Sequence, residues 1–270
     1  MRTVETVTEV RAALRPLRGT RSVGLVPTMG AFHEGHLSLL RAARAENDVV
    51  VVSLFVNPTQ FGPGEDFAVY PRDPERDAAL AAEAGVDLLF VPTAAEMYPE
   101  GFQTWVEVEE LARGMEGDAR PGHFRGVATV CLKLFNIVRP DRAYFGQKDA
   151  QQAALVEHLV RDLDLELEIR VLPTVRDVDG LAFSSRNAGL SPEERRAALA
   201  LPRALRAGED AYREGAHPDA VARVVLAGEP GVEPDYVRVA RLNGRLVLAA
   251  AVRVGRTRLI DNVVLEGDTQ

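Results

Sequence analysis

Apolar residues along the first two thirds of the chain alternate between two spacings. Short runs rich in Val, Leu and Phe are typical of buried strands: Ser22–Pro27, Val49–Phe55, Leu88–Val91, Arg142–Phe145 and Leu167–Leu172. Between these runs, apolar positions three and four residues apart predict helices at His36–Ala45, Pro74–Ala84, Phe124–Ile137 and Ala150–Asp162. Continuous apolar strands that alternate with helices predict an α/β fold built on a doubly wound parallel sheet.

The pattern changes near Val175. Two helices and three strands are predicted beyond it, at Ser191–Glu214, Pro218–Ala227, Tyr236–Arg241, Leu246–Val254 and Arg258–Val264, with a hairpin turn at Asn243-Gly244. We therefore predict a Rossmann-like domain over residues 1–174 and a smaller α+β C-terminal domain over residues 175–270. The segment Val175–Ala188 would connect the two domains.

Composition narrows the function classes. The 270 residues are 46% hydrophobic and 27% charged, which is typical of a globular protein. A net charge of −8 argues against a nucleic-acid-binding surface and leaves any phosphate site to local positive charge. No apolar run is long enough to span a membrane and Met1–Leu17 lacks a signal-peptide core, so we predict a cytoplasmic protein without membrane partners. The single cysteine, Cys131, excludes an intrachain disulfide, and its apolar neighbours predict that it is buried.

The segment after the first strong strand carries the most specific chemistry. It reads Pro-Thr-Met-Gly-Ala-Phe-His-Glu-Gly-His over residues 27–36, so His33 and His36 stand where a strand gives way to a helix. Backbone amides at a helix start favour negative charge, and Gly35 lets a ligand approach the backbone. Two imidazoles at such a position suit a polyphosphate whose charge grows during reaction. Two alternatives stay open: ordinary polar residues near a turn, or metal ligands, although no third ligand lies close by in the sequence.

Three further polar segments carry candidate chemistry. Asn57–Phe61 offers side-chain amides for a substrate with hydroxyl and carboxylate groups, or it is a plain turn after a strand. Lys148, one of only two lysines, is a compact charge suited to a phosphate. The neighbouring Asp149 suits ribose hydroxyls or a helix cap. Ser184-Ser185-Arg186-Asn187 suits a phosphate clamp on a segment that moves, or a plain polar loop.

Several common motifs are missing from the sequence. It contains no Gly-x-Gly-x-x-Gly after a strand and no Walker-type loop, which disfavours a dehydrogenase and a P-loop enzyme. It also lacks a nucleophile elbow and a zinc-spaced ligand set. The basic turn Arg120–Gly126 precedes a helix and could flank an anion, but from sequence its role stays open.

The string over residues 27–36 resembles the His-x-Gly-His signature of the nucleotidylyl transferase superfamily. In this form it is similar to the pantothenate synthetase (pantoate–β-alanine ligase) family. Further motifs match that family in order, at Asn57–Phe61, Tyr70-Pro71-Arg72, Arg120–Gly126, Phe145–Gln152 and Val175–Asn187. The resemblance covers most of the first two thirds of the chain, and the C-terminal third is less distinctive.

The resemblance implies a two-step ligation. The carboxylate of pantoate attacks the α-phosphorus of ATP to give pantoyl adenylate and pyrophosphate, and the amine of β-alanine then displaces AMP to give pantothenate. Such an enzyme acts mainly by positioning and by charge stabilisation. The family also implies that Mg²⁺ accompanies ATP, bound mostly through phosphate oxygens and water, and that the chain forms a homodimer through its N-terminal domain.

The resemblance also implies roles for particular positions. ATP would be bound by residues of three segments: Met29, Gly30, His33, Gly35 and His36; Gly146, Gln147, Lys148 and Asp149; and Val175, Phe183, Ser184, Ser185 and Arg186. His36, His33 and Lys148 would be catalytic, with His36 as the proton donor. Gln60 and Gln152 would bind pantoate, and Gln60 would also border the β-alanine site. Arg76-Asp77 stands where the family often has an acidic pair, which leaves Asp77 as a possible metal contact and no metal ligand assigned.

Three alternatives come from other function classes. An adenylyl transferase that keeps the adenylate as its product is the closest, but it would lack the amides of Gln60 and Gln152. A nucleotide-sensing binding module would not need Lys148 or the two histidines. A relative of aminoacyl-tRNA synthetases is disfavoured by the net charge of −8 and by the absence of a basic extension.

Overall fold

The computed structural model describes residues 1–266, and the last four residues of the predicted C-terminal domain lie outside the described part. The chain forms two compact units, residues 1–145 with 152–172, and residues 146–151 with the chain from 173 onward. The domain boundary at residue 174 stays a prediction. Residues 146–151, which the sequence analysis placed in the first domain, group with the second unit.

The first unit contains a six-stranded parallel sheet. Its strands are β1 (Arg2–Val4), β2 (Val23–Thr28), β3 (Val49–Leu54), β4 (Leu88–Phe90), β5 (Arg142–Gly146) and β6 (Glu168–Leu172). Their spatial order is β1-β4-β3-β2-β5-β6, so β2 lies between β3 and β5. The five predicted strands are confirmed within two residues at their ends. β1 was not predicted because three residues at a sheet edge give no periodic signal.

Helices cover both faces of this sheet, as the α/β prediction requires. They are α1 (Val7–Leu14), α2 (Glu34–Glu46), α3 (Pro74–Glu83), α4 (Ala94–Met97), α5 (Met115–Ala119), α6 (His123–Val138) and α7 (Ala150–Asp162). Val49 and Val51 of β3 pack in one apolar cluster with α6, whereas Val50 and Val52 pack in another with α2 and α3. Successive strand residues point to opposite faces, so a run that is apolar at every position fills both clusters.

The second unit is built on an antiparallel sheet. It has three strands, β7 (Val232–Leu242), β8 (Arg245–Val254) and β9 (Thr257–Glu266), in that order. Asn243 and Gly244 form the predicted turn between β7 and β8, with φ of 48° and 81°. Its helices are α8 (Pro192–Ala198), α9 (Ala200–Arg213) and α10 (Pro218–Ala227), and α9 packs Leu201 and Leu205 in a core with Leu248 of β8.

The single helix predicted at Ser191–Glu214 is wrong, because the structure has two helices there. α8 ends at Ala198 and α9 begins at Ala200. Pro202 has no backbone N–H to donate to the carbonyl of Ala198, so the helical ladder is interrupted at this point. No helix within residues 1–266 is both long and apolar enough to cross a membrane.

Candidate active site

The turn that follows β2 has a backbone that a side chain at residue 30 would disrupt. Gly30 has a φ of +92°, and Ala31 also lies in the left-handed region with a φ of 53°. A Cβ atom on Gly30 would lie 2.8 Å from Leu54 Cδ1 and 2.9 Å from Asp77 Oδ2. Glycine at this position therefore satisfies both the dihedral angle and the close approach of α3.

Asp77 of α3 holds this turn in place. Its side chain is buried, and its two carboxylate oxygens accept hydrogen bonds from the backbone N–H groups of Ala31 (2.8 Å) and Phe32 (2.7 Å). The neighbouring Arg76 donates to the carbonyl oxygen of Phe32 at 3.0 Å. The sequence analysis left Asp77 as a possible metal contact, whereas in the structure both oxygens bind backbone amides. Within residues 1–266, no group of three or more His, Cys, Asp or Glu side chains is arranged to hold a metal ion.

His33 and His36 lie together at the start of α2. His33 is the N-cap residue, and its carbonyl oxygen accepts from the N–H groups of His36 (2.8 Å) and Leu37 (3.0 Å). The two imidazole ring centroids are 4.1 Å apart. The backbone N–H of His33 donates to Nδ1 of His36 at 3.4 Å, so a neutral His36 ring carries its proton on Nε2. The structure thus pairs the two imidazoles at a helix N-terminus, where negative charge is favoured.

Gln60 follows β3 and is almost fully buried. Its amide oxygen accepts from Asn57 Nδ2 at 3.0 Å, and its amide nitrogen donates to the sulfur of Met29 at 3.2 Å. Asn57 is fixed in turn because its Oδ1 accepts from the hydroxyl of Tyr98 at 2.9 Å. A Cβ on Gly126 of α6 would lie 2.5 Å from the Thr59 carbonyl oxygen, so this helix packs directly on the Gln60 segment. Met29 and Gln60, two sequence-predicted site residues, are therefore in contact.

His123 and Arg120 both contact the backbone carbonyl oxygen of Gln60. His123 Nδ1 lies 2.8 Å from the Gln60 carbonyl oxygen, and Nε2 lies 3.0 Å from Arg120 Nη1. Because a guanidinium can only donate and a carbonyl can only accept, His123 is the neutral Nδ1–H tautomer. Burial, followed by the charge of Arg120, lowers the pKa of His123 to about 4. Arg120 is itself bound to the carboxylate of Glu65 at 2.7 and 3.0 Å, so the charge of Arg120 is already paired within the protein.

Gln152 lies in the first turn of α7, directly after β5, and is half-buried. In the sheet β5 is the neighbour of β2, and β2 is the neighbour of β3. The carboxyl ends of these parallel strands therefore lead into the Met29–His36 turn, the Gln60 segment and the segment that ends at Gln152. This is the edge at which ligands bind in open α/β sheets.

Lys148 belongs to a short turn of the second unit. Its ammonium lies 3.8 Å from a carboxylate oxygen of Asp149, and a fifth of its side chain is exposed. A Cβ on Gly146, two residues earlier, would meet no atom within 4 Å, so the backbone borders open space there. Lys148 and Ser184 line one small pocket together with Asp261 and Asn187. The structure therefore brings together two of the predicted phosphate-binding segments.

The segment from Val175 to Phe183 is a tight hairpin. The N–H of Phe183 donates to the Val175 carbonyl at 3.1 Å, and the N–H of Asp177 donates to the Leu181 carbonyl at 2.8 Å. Ser184 follows directly and caps a 3-10 turn over Ser185–Gly189, where its Oγ accepts from the N–H of Arg186 at 3.3 Å. Because that bond uses a lone pair of Ser184, its hydroxyl hydrogen can still be donated to another acceptor.

The hydrogen-bond partners of some residues that shape the site could not be predicted from the sequence. Asp77, His123 and Asn262 each support a candidate segment through a hydrogen bond from a distant part of the chain. For Asp77, the position in the first turn of a helix predicts only favourable interaction with the helix dipole. Cys131 is confirmed as a buried, unbonded cysteine, and burial raises the pKa of its thiol to about 12.

Comparison with known proteins shows the family of the chain. A family model described as pantoate-beta-alanine ligase matches residues 2–264. A pantothenate synthetase from Acidobacterium capsulatum is 56% identical over all of this chain and 98% of its own, and one from Moorella thermoacetica is 57% identical over 98% and 99%.

Solved structures give the same result. The pantothenate synthetase of Thermus thermophilus superimposes with a TM-score of 0.94 at 49% identity, covering 99% of this chain and 100% of its own. A pantoate-beta-alanine ligase of Francisella tularensis, complexed with beta-gamma ATP and beta-alanine, has a TM-score of 0.86 at 36% identity, with 99% of both chains covered. The chain therefore belongs to the pantoate–β-alanine ligase family.

Proposed function

We propose that the chain condenses pantoate with β-alanine, using ATP, by way of a pantoyl adenylate, with release of pyrophosphate and AMP. The observation that carries this proposal is the contact of Met29 with Gln60 beside the paired imidazoles of His33 and His36. It joins a site suited to phosphate with a site suited to a small polar acid. The Francisella tularensis relative, described as complexed with beta-gamma ATP and beta-alanine, supports the same substrates.

The chemistry requires an activated acid. A carboxylate is a poor electrophile toward an amine, so the pantoate oxygen would first attack the α-phosphorus of ATP and expel pyrophosphate. The β-alanine amine would then attack the carbonyl of the mixed anhydride, forming the amide bond and releasing AMP. Both steps gain most from alignment of the reacting groups and from charge stabilisation on the phosphate oxygens.

His36 is proposed as the proton donor to the phosphates. Its Nδ1 accepts from the backbone of His33, so the ring proton lies on Nε2 and would be donated from there to a phosphate oxygen as charge develops. His33 and the amides of Gly30 and Gly35 would bind the remaining oxygens at the helix N-terminus. The turn is held by Asp77, so these donors would not need to reorganise during the reaction.

The second unit is proposed to bind the rest of ATP. Lys148 would contact the phosphates, and Ser184, Ser185 and Arg186 would clamp them. Gly146 and Asp149 would hold the ribose, and Val175 and Phe183 would border the adenine. The Val175 carbonyl already accepts from Phe183, so adenine would use the Val175 N–H or the second lone pair of that carbonyl.

Gln147 is expected to act only through its backbone. Its side-chain amide is buried and donates to Asn262 at 2.9 Å, so it is committed within the protein. Its position in the turn would nevertheless set the path of the chain from Gly146 to Lys148.

Pantoate would be bound by Gln60 and Gln152. The amide nitrogen of Gln60 donates to the Met29 thioether, which is a weak acceptor, so a pantoate hydroxyl or carboxylate would replace it favourably. Gln60 would also border the β-alanine site. The buried bond between Gln60 and Asn57 would keep the amide oriented during this exchange.

Mg²⁺ is expected to enter with ATP. The described residues include no group of three acidic or histidine ligands, so the ion would take its ligands from phosphate oxygens and water. We also propose a cytoplasmic location and, from the family resemblance, a homodimer through the N-terminal domain.

The test measures products from ATP, Mg²⁺ and pantoate, with and without β-alanine. AMP release that depends on both substrates, with pantothenate formed, would support the two-step ligation. Pantoate labelled with ¹⁸O in its carboxylate should transfer one label to AMP, because the bond to phosphorus is kept when the carbonyl is attacked. Pyrophosphate release without β-alanine-dependent AMP would instead indicate an adenylyl transferase, and ADP as the product would contradict the adenylate.

A further inference from the structure

Two adjacent residues of β9 contact both candidate nucleotide segments of the second unit. Asp261 and Asn262 are 2% and 4% exposed, although successive side chains of a strand point to opposite faces. Asn262 contacts the turn that carries Lys148, and Asp261 contacts the hairpin that begins at Val175. Neither residue is assigned a role by the proposed function.

Asn262 uses both of its donors and one acceptor lone pair on the Lys148 turn. Its amide nitrogen donates to the carbonyl oxygens of Gln147 and Lys148, both at 2.9 Å. Its amide oxygen accepts from Gln147 Nε2 at 2.9 Å. An amide has two N–H donors, and two carbonyls can only accept, so the orientation of this side chain is fixed by its partners. An aspartate would place negative charge against two carbonyl oxygens.

Asp261 holds the hairpin against β9 in the same way, through Arg176. Its carboxylate oxygens bind the guanidinium of Arg176 at 2.6 and 3.0 Å, and the same guanidinium donates to the Gly180 carbonyl at 3.2 Å. The backbone N–H of Asn262 donates to Asp261 Oδ1 at 2.8 Å, so the Asp261 carboxylate is also fixed to the backbone of β9.

We propose that Asn262 is a positioning residue for Lys148. By holding the backbone of Gln147 and Lys148 against β9, it fixes the Cα from which the Lys148 side chain extends. Movement of the turn then does not add to the movement of the four rotatable bonds that carry the ammonium. Asp261 fixes the Val175–Phe183 hairpin against the same strand. The Lys148 turn and the hairpin are therefore both anchored to β9. The inference rests on the proposed function, in which Lys148 binds ATP phosphates.

A purely structural role makes a different prediction from a positioning role. Loss of a satisfied buried amide would lower stability and would act equally on every substrate. Loss of positioning would act on ATP use and only while Lys148 is present, because residues that act as one unit are not additive. A double-mutant cycle between Asn262 and Lys148 separates the two cases.

The experiment compares Asn262→Ala, Lys148→Ala and the double variant of the full chain. We expect Asn262→Ala to lower kcat/KM for ATP by about 10- to 100-fold, the loss typical of a misplaced catalytic group. KM for pantoate at saturating ATP should stay unchanged. In the Lys148→Ala background, the same substitution should lower kcat/KM for ATP by less than about 3-fold, since the positioned group is already gone.

Controls keep the outcome interpretable. Val252 of β8 is fully buried and does not belong to the Lys148 turn. Val252→Ala removes core volume, so it should lower the melting temperature without changing kcat/KM for ATP. If Asn262→Ala does not fold, Asn262→Ser retains a single donor and should give a smaller loss of the same kind.

Two results would overturn the positioning role. The first is an Asn262→Ala enzyme with the kcat/KM of the unmodified chain, while Lys148→Ala is inactive. The second is an equal loss from Asn262→Ala in both backgrounds. If Lys148→Ala itself retained full turnover, the phosphate role of Lys148 would fail first, and the inference would fail with it.

Discussion

The Gln60 segment of the first unit and the Val175–Phe183 hairpin of the second are both held from distant elements, but by different groups. Gln60 is held mainly by neutral donors and acceptors: the Asn57 amide, the Tyr98 hydroxyl that binds Asn57 and the uncharged ring of His123. Arg120 adds only a longer bond, from Nη2 to the Gln60 carbonyl oxygen at 3.4 Å. The hairpin is held by ion pairs, from Arg176 to Asp261 and from Arg195 to Asp177 and Asp179.

This difference has physical consequences. A buried neutral network depends on packing and on a partner for every polar atom. Its stability should therefore change little with salt concentration, but it should fall when a substitution leaves one polar atom without a partner. Ion pairs depend on burial, and the pairs of Arg195 are exposed by about a third, which makes them weak. Of the three carboxylates in these ion pairs, only Asp261 of β9 is buried. Most of the electrostatic stabilisation of the hairpin should therefore depend on its partner, Arg176.

The largest expected effect tests whether both regions serve one reaction. His36→Ala in the first unit and Lys148→Ala in the second should each lower turnover by about 10²- to 10³-fold, because each removes a donor to the developing phosphate charge. Thermal midpoints should stay close to that of the unmodified chain. Arg161→Ala, at an exposed position of α7, is the matched control. Full turnover in either variant would remove that region from the chemistry.

The second test concerns the neutral network and pH. The pKa of His123 is about 4 in the native state and 6.5 when unperturbed, so between these values the unfolded chain binds a proton that the native state does not. Stability from this residue is therefore complete above pH 6.5 and is lost as the pH falls toward 4, by about 3 kcal/mol in total. Urea unfolding of His123→Gln across pH 4 to 7.5 should show a flatter dependence.

His217 provides the control for this measurement, because it is exposed at the start of α10. His217→Gln should leave the free energy of unfolding at pH 7.5 unchanged, because a substitution at an exposed position away from the core has little effect on stability. Parallel curves for the unmodified chain and His123→Gln would contradict the assignment of a neutral, buried ring.

The third test compares the two arginines of the hairpin. Arg176→Ala should lower the free energy of unfolding by about 2 to 3 kcal/mol, somewhat less than for a fully buried pair because Arg176 is itself a third exposed. Arg195→Ala should cost less than about 1 kcal/mol. Chemical denaturation of both variants measures the difference, and equal losses would mean that the burial of Asp261 does not decide it.

The smallest expected effect lies outside the site, where the two units should behave alike. Thr6 with Glu9 and Ser191 with Glu194 form capping boxes in the first and second unit. Thr6→Ala and Ser191→Ala should each cost about 1 kcal/mol without changing turnover. Denaturation and turnover assays of both variants check this, and a loss of turnover in only one of them would show that its helix is coupled to the reaction.

Much of the fold could be predicted from local pattern. β3 is apolar at nearly every position and buried at every position, and the ends of α7 and α10 match the predicted ranges. The missed break at Leu199 had a local cause, Pro202, which the helical spacing concealed. The segments around His33, Gln60, Lys148 and Ser184 were likewise visible, because each combines turn residues with side chains of defined chemistry at the end of an element.

The supports of the site could not be predicted in the same way. Asp77 binds the Ala31 amide across 46 positions, His123 binds the Gln60 carbonyl across 63, and Asn262 binds the Lys148 carbonyl across 114. In the sequence Asp77 is a possible metal contact and His123 belongs to a basic turn whose role stays open, while Asn262 is only a polar residue within a strand. A buried polar group without a hydrogen-bond partner costs free energy, which is why these bonds form. Whether a position is buried is decided only when the chain folds.

The sequence by itself determined most of the strands and helices, the family of the chain and the segments that carry its chemistry, because periodicity and spacing are local properties. The tertiary structure alone decided that Asp77 binds the backbone of the Met29–His36 turn, that Arg120 is paired with Glu65, and that β9 supports Lys148. Those outcomes depend on which buried donors and acceptors meet in space, and a polar group removed from water must find its partner there.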